Sequence, residues 1–270
     1  MTHSQPTSHP VPRCLLREKL VAGQTVIGTM VVEIRQPAVM TWLAHAGFDF
    51  AIIDNEHGPF PIDAIAELSR AARAAGVTPI VRVPELSYAH VTQPLDAGAQ
   101  GIMLPRVTNR MQVAECLGYM KYKPKGHRGS VLARGHTDFR GGPLAETLAA
   151  MNQMTFLIVQ IETAEAVDAL DDILSVPGVD AALIGPTDLS LSLGVPGQLD
   201  DPVLVRAIEK TLAACTRHGV VPAIHTNEVD RTAAWARRGM RLVSINSEAG
   251  LLMTGAGAAV NAIRHAHVDR

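Results

Sequence analysis

GFDFAIIDNEHGPFPIDAIAELSRAARAAGVTPIVRV, residues 47–83, reads as one complete strand–helix–strand unit. Phe48 to Asp54 is a short apolar run that ends in charge. Ile62 to Ala75 repeats its apolar side chains at helical spacing and stops at Gly76, which suits a left-handed exit, and Pro79 to Val83 is a second apolar run. Both runs are apolar on consecutive positions, as in strands covered on both faces, so parallel pairing is favoured. The alternation extends outward in both directions. Strands over Val26 to Val31, Gly101 to Pro105, Phe156 to Ile161, Ala181 to Ile184, Val220 to Ile224 and Leu242 to Ile245 bring the total to eight, and Pro37 to Ala46 is a helix closed by Gly47. No Ser/Gly-rich linker divides the chain. Eight such units in about 250 residues match a closed (β/α)8 TIM barrel. A doubly wound sheet would open with a Gly-rich turn, and the nearest candidate, GAGAAV at 255–260, follows no strand. The expected organisation is a flexible tail over residues 1–13 and one barrel domain over residues 14–270.

The 270 residues are 47% apolar and 19% charged, enough for one large core. Their 24 basic and 26 acidic side chains nearly cancel, without a basic run, so nucleic acid and anionic membrane are not expected partners and a small molecule is. No apolar stretch approaches the roughly 20 residues of a membrane span, and residues 1–13 are polar with three prolines. Cys14, Cys116 and Cys215 are odd in number, far apart and without CxxC spacing. They read as reduced packing thiols, which implies a cytoplasmic compartment.

In a barrel the chemistry sits at the C-terminal ends of the strands. There the sequence places Asp54, Asn55, Glu56 and His57 after strand two, Arg82 in strand three, Arg106 after strand four and Gln160 with Glu162 in strand five. Gly185-Pro186-Thr187-Asp188 follows strand six, and His225 and Asn246 end strands seven and eight. Charge at buried strand ends is costly unless paired or liganded, so the convergence predicts a charged ligand at the mouth. Two carboxylates from neighbouring strands, Glu162 and Asp188, suit a hard divalent cation that keeps several waters, magnesium or manganese rather than zinc. Either carboxylate alone could equally be a helix cap or half of a salt bridge. The turn at Gly185 to Asp188 leads into a short helix whose free amides could accept a carboxylate, or it is a plain connection. None of the five lysines falls at the mouth, which disfavours Schiff-base chemistry, and no GxSxG elbow supports a serine triad.

The motifs FDFAIIDNEHGPF at 48–60, IVRV at 80–83, LDAGAQGIMLPRV at 95–107, VQIET at 159–163 and IGPTDLSLSLG at 184–194 together resemble the HpcH/HpaI aldolase family, with similarity running from about Leu15 to Ala262. The resemblance implies a metal-dependent pyruvate aldolase that cleaves a 4-hydroxy-2-oxo acid to a 2-oxo acid and an aldehyde. It implies that Glu162 and Asp188 bind the metal (Mg2+ or Mn2+, with Co2+ possible) and that Gln160 lies beside it. Arg82 would face the substrate oxygens, and the backbone of Gly185, Pro186, Thr187 and Asp188 would hold the carboxylate. His57, partnered by Asp96, would be the acid/base group, with Asp54 and Glu56 in supporting places. It further implies a homo-hexamer, a trimer of dimers with exchanged C-terminal helices, although an ordinary eighth barrel helix explains Ala249 to Ile263 equally well. The loop SVLARGHTDFRGG after Gly129 and MVVEI after strand one depart from better-known members, which leaves the aldehyde open. A citrate-forming or citryl-cleaving relative and a catalytically silent oxo-acid-binding barrel are the competing readings.

Overall fold

The computed structural model describes residues 12–266, so nearly all of the expected tail lies outside the described residues. Eight parallel strands, β1 (Val26–Val31), β2 (Phe50–Asp54), β3 (Thr78–Arg82), β4 (Gly101–Leu104), β5 (Phe156–Ile161), β6 (Ala181–Ile184), β7 (Val221–Thr226) and β8 (Leu242–Ser247), pair in sequence order, and β8 pairs back onto β1 to close a barrel. The fold is the expected (β/α)8 barrel, with strand limits displaced by one or two residues from the sequence expectation.

Apart from Ile27 and the partly buried ends of β7 and β8 the strands are buried on both faces, yet their side chains alternate between two distinct cores, as a pleat of period two requires. Phe50, Ile52, Ile80, Met103, Phe156, Ile158, Leu183 and Ala223 fill the barrel. Ala51, Ile53, Val81, Ile102, Leu157, Val159, Ala182 and Ile224 instead pack against the surrounding helices. Each fully buried large side chain contributes roughly 1.5–3 kcal/mol. Interior space is shared between large and absent side chains: a Cβ on Gly28 would lie 2.3 Å from the Phe50 ring, so the strand next to Phe50 must carry glycine there. The helix Leu15–Val21 closes the lower end of the barrel by adding Leu16 and Leu20 to the interior core, while Arg17 pairs with Asp180 at 2.6 Å.

The same parity positions the upper end. Two residues beyond Ile52 is Asp54, beyond Ile80 is Arg82, beyond Ile158 are Gln160 and Glu162, beyond Ala223 is His225, and beyond Leu242 is Ser244. Each inherits the inward direction of the apolar residue below it. A one-residue shift in any strand would turn its polar end outward.

The C-terminal helix, Glu248–Ala266, is not an ordinary barrel helix. It is anchored at its first residue, where the buried Glu248 carboxylate accepts hydrogen bonds from the amides of Val32, Glu33 and Ile34 at 2.7–3.0 Å. Beyond the anchor Leu252, Met253, Val260 and Ile263 are exposed by 62, 71, 45 and 63%. A packed eighth helix would bury such a stripe against the sheet, so that reading is corrected. No helix among the described residues is long and apolar enough to cross a membrane. Cys14, Cys116 and Cys215 are free and buried, as their contexts predict.

Candidate active site

β2, β3, β5, β6 and β7 carry their inward polar ends to a cavity of about 240 Å³ whose apolar base is Met30, Ile52, Met103 and Leu183. His57, Arg82, Gln160 and residues 185–188 line it. On one side stands an ion-pair network. Arg82 donates Nε to Asp54 at 2.8 Å and an Nη to the other carboxylate oxygen at 2.6 Å, while its remaining Nη lies 3.2 Å from Glu56. Arg106 reaches Glu56 from the rim at 2.8 Å. Burial alone would push the Asp54 carboxyl up; the hydrogen bonds and charge of Arg82, with the amides of Glu56 and His57, outweigh it and hold the group below the ordinary carboxylate range. The Arg82 guanidinium keeps its proton more firmly than usual because Asp54, Glu56 and Glu162 together overcome its desolvation.

Opposite this network the balance reverses. Glu162 is 7% exposed, and burial pushes its carboxyl above the ordinary range; the Arg106 amide opposes this, and the charges of Glu56 and Asp188 add to the rise. One Glu162 oxygen accepts the Arg106 amide at 2.7 Å, which requires Arg106 to hold a left-handed φ of 54°, uncommon outside glycine. The other accepts the Gln160 side-chain amide. The Gln160 carbonyl oxygen is buried without a partner, and such orphans in native folds commonly mark a missing ion or water. Gly185 leaves the approach open, since a Cβ there would come within 3.3 Å of Gln160 Nε2 and 3.8 Å of Glu162. The neighbouring amides of Thr187 and Asp188 have no partner in the described backbone hydrogen bonds.

These features fit a hard divalent cation. Glu162, Asp188 and the unpartnered Gln160 oxygen form an oxygen donor set, and Asp188 is close enough to raise the Glu162 carboxyl by its charge. Among the described residues no group of three or more His, Cys, Asp or Glu is arranged around one point, so solvent or substrate would complete the shell. Asp188 itself is exposed at the first turn of the helix Pro186–Ser192, not capping it; Gly185 takes the cap position.

His57 stands at the rim, 66% exposed, with Nε2 at 4.0 Å from Glu56. Its loop is tied down because the His57 amide donates to Asp54 at 3.3 Å and the Glu56 amide at 3.0 Å. Asp96 is not brought to His57 within one chain. It lies near the C-terminal end of the helix Tyr88–Ala97, and its carboxylate pairs with the buried guanidinium of Arg128. Among the described residues Glu56 is the carboxylate within 4.0 Å of the His57 ring. Sequence reasoning gave no role to the Arg106 amide, to the Glu56 bridge between two arginines, or to the β7 side of the cavity, where Asn227, Glu228 and Arg231 continue beyond His225. Arg106 follows β4 in the PRV motif, a signal that was present; the others rest on loop geometry.

Comparison with known proteins places the chain in the same group that its motifs suggest. The sequence pattern of the HpcH/HpaI aldolase/citrate lyase family matches residues 29–253. The hydroxypyruvate/pyruvate aldolase of Roseobacter denitrificans is 33% identical over 249 residues, covering 90% of this chain and 94% of that protein. The crystal structure of an HpcH/HpaI aldolase from Desulfitobacterium hafniense superposes with a TM-score of 0.89 at 35% identity, over 93% of this chain and 97% of that one. The citrate synthase SbnG superposes with a TM-score of 0.85 at 29% identity, over 94% and 99%.

Proposed function

The chain belongs to the HpcH/HpaI aldolase/citrate lyase family of carbon–carbon lyases, and from that premise we propose that it is a divalent-metal-dependent aldolase, reversibly cleaving a 4-hydroxy-2-oxo acid to pyruvate or a related 2-oxo acid and an aldehyde. The carrying observation is the convergence of Glu162, the charge of Asp188 and the orphaned Gln160 oxygen beside the open backbone at Gly185.

In the cleavage direction the C3–C4 bond breaks, its electron pair moves toward the 2-oxo group, and C4 leaves as the aldehyde. The backbone of residues 185–188 holds the carboxylate through the amides of Thr187 and Asp188. Arg82, fixed by Asp54, turns its charge toward the 2-oxo oxygen, where the negative charge collects. A divalent cation held by Glu162 and Asp188, with Gln160 beside it, would supply further positive charge at that oxygen. His57 takes the C4 hydroxyl proton and, as the acid/base group, returns a proton to C3, which turns the enolate into the 2-oxo acid. Glu56, at 4.0 Å, stands beside it in the place that the resemblance gives to Asp96. Closing the site is left to the rim, since the His57 ring is exposed.

The test is cleavage of a panel of 4-hydroxy-2-oxo acids, read as pyruvate released, after chelation and after magnesium, manganese or cobalt is restored. Cleavage that needs restored metal supports the proposal, and His57→Ala should lose cleavage while retaining pyruvate binding; equal losses would make His57 a binding group. Similarity to a citrate synthase favours one second reading, carbon–carbon bond formation between oxaloacetate and the methyl carbon of an acetyl thioester with release of the thiol, which a citrate product from those two substrates together would establish. The exposed apolar stripe of Glu248–Ala266 supports a homo-hexamer, which light scattering tests: Met253→Glu with Ile263→Glu should lower the assembled mass. The buried unpaired thiols support a cytoplasmic compartment.

A further inference from the structure

His225 lies in the cavity and has no part in the chemistry above. It follows Ala223 at inward parity on β7, in a cavity whose base is the thioethers and aliphatic chains of Met30, Ile52, Met103 and Leu183. Its Nδ1 is 2.9 Å from the Oγ of Ser244, the inward residue of the adjacent β8, which is wholly buried. That contact fixes the tautomer. Were the proton on Nδ1, the buried Ser244 hydroxyl would have no acceptor for its own proton, because its described hydrogen bonding is to His225 alone. Ser244 therefore donates, and the ring proton sits on Nε2. Burial first, and then the charge of Arg82, pull the His225 pKa down to about 4, with Asn227 and Asp54 opposing, so the ring is neutral at physiological pH.

The substrate carboxylate is already served by the amides at 187 and 188, and the 2-oxo oxygen by Arg82, so neither needs the His225 donor. A methyl group would offer that donor nothing beyond the Asn227 side chain, the other group that bonds the ring. A hydroxyl oxygen satisfies it. We propose that His225 is a specificity-determining residue, donating Nε2–H to a hydroxyl oxygen of the substrate and so selecting hydroxylated substrates over their deoxy analogues. This inference rests on the aldolase reading. The hydroxyl comes either from C3 of a 3-hydroxy-2-oxo acid donor or from the carbon next to the aldehyde of the acceptor, and the same interaction serves both.

The test measures kcat/KM for hydroxypyruvate and pyruvate, each with glycolaldehyde and acetaldehyde, in wild type, His225→Leu, His225→Gln and Ser244→Ala. Losing one neutral hydrogen bond is expected to lower the preference for the hydroxylated partner about tenfold in His225→Leu. The donor arm or the acceptor arm shows which hydroxyl is read. His225→Gln, which keeps an N–H, should restore part of the preference, and Ser244→Ala should weaken it. A fall of equal size in all four pairings, or an unchanged preference, overturns the proposal. So does nitrogen NMR of the wild-type ring that places the proton on Nδ1, a measurement independent of whether any variant folds. If the wild type cleaves and forms no carbon–carbon bond, the aldolase reading fails. Calorimetric binding of hydroxypyruvate against pyruvate, to manganese-loaded wild type and His225→Leu, then still decides the role of His225.

Discussion

Replacing Asp54 with Asn removes one charge and changes almost no volume, so its effect isolates the electrostatics that hold Arg82. Asp54 accepts four hydrogen bonds, from Arg82 at 2.8 and 2.6 Å and from the amides of Glu56 and His57 at 3.0 and 3.3 Å. An asparagine keeps one oxygen, and its amide then meets another donor, either the guanidinium or the loop amides. Breaking a buried ion pair costs about 3–5 kcal/mol. Glu56 remains 3.2 Å from Arg82 and compensates in part, so a loss of roughly 2–4 kcal/mol follows. At about 2–4 °C per kcal/mol for a chain of this size, the melting temperature should fall by roughly 4–16 °C. Activity should fall as well, because both Arg82 and the His57 loop lose their anchor. The pH dependence gives a second reading of the same bond. The Asp54 carboxyl is held low in the fold, so its contribution is present above the unfolded carboxylate range and is lost as pH falls through the lowered folded value. The Asn variant should lack that acid-side loss. A melting shift under about 2 °C at neutral pH with activity unchanged would refute the argument that Asp54 fixes Arg82.

Two further outcomes follow from the site. Manganese or magnesium at a hundredfold excess over its dissociation constant should stabilise the chelated protein by about 2.7 kcal/mol, read as a thermal shift, and Glu162→Gln should abolish that shift; an equal shift in the variant would move the cation elsewhere. His225 has its folded pKa depressed to about 4, so its contribution to stability is complete above the unfolded value near 6.5 and is lost as pH falls from there toward 4. His225→Leu should flatten the stability profile in that window, and an unchanged acid limb would show the ring titrating normally.

The architecture was readable because consecutive apolar runs, closed by charge and separated by helices ending in glycine, admit few alternatives. Parity then carried Asp54, Arg82, Gln160 and Glu162 inward without any knowledge of the ligand. What escaped had different physical causes. Asp96 is given to His57 only by the resemblance; within one chain the helix carries its last turn elsewhere and the carboxylate pairs with Arg128. The Arg106 amide reaches Glu162 through a backbone conformation that no side-chain pattern signals. The last helix has the composition of a packed helix yet leaves its apolar side chains exposed in the described chain, because composition does not say what a helix packs against. His225 was visible at a strand end, but its pairing with Ser244 depends on the register of β7 against β8.

The most direct measurement for the metal-assisted account is exchange of the pyruvate methyl protons for deuterium, followed by NMR, with and without EDTA, in wild type and Glu162→Gln. Exchange that stops on chelation, returns with manganese or magnesium and is lost in the variant is the predicted result. Exchange that continues at the same rate in EDTA, or in Glu162→Gln, would contradict it.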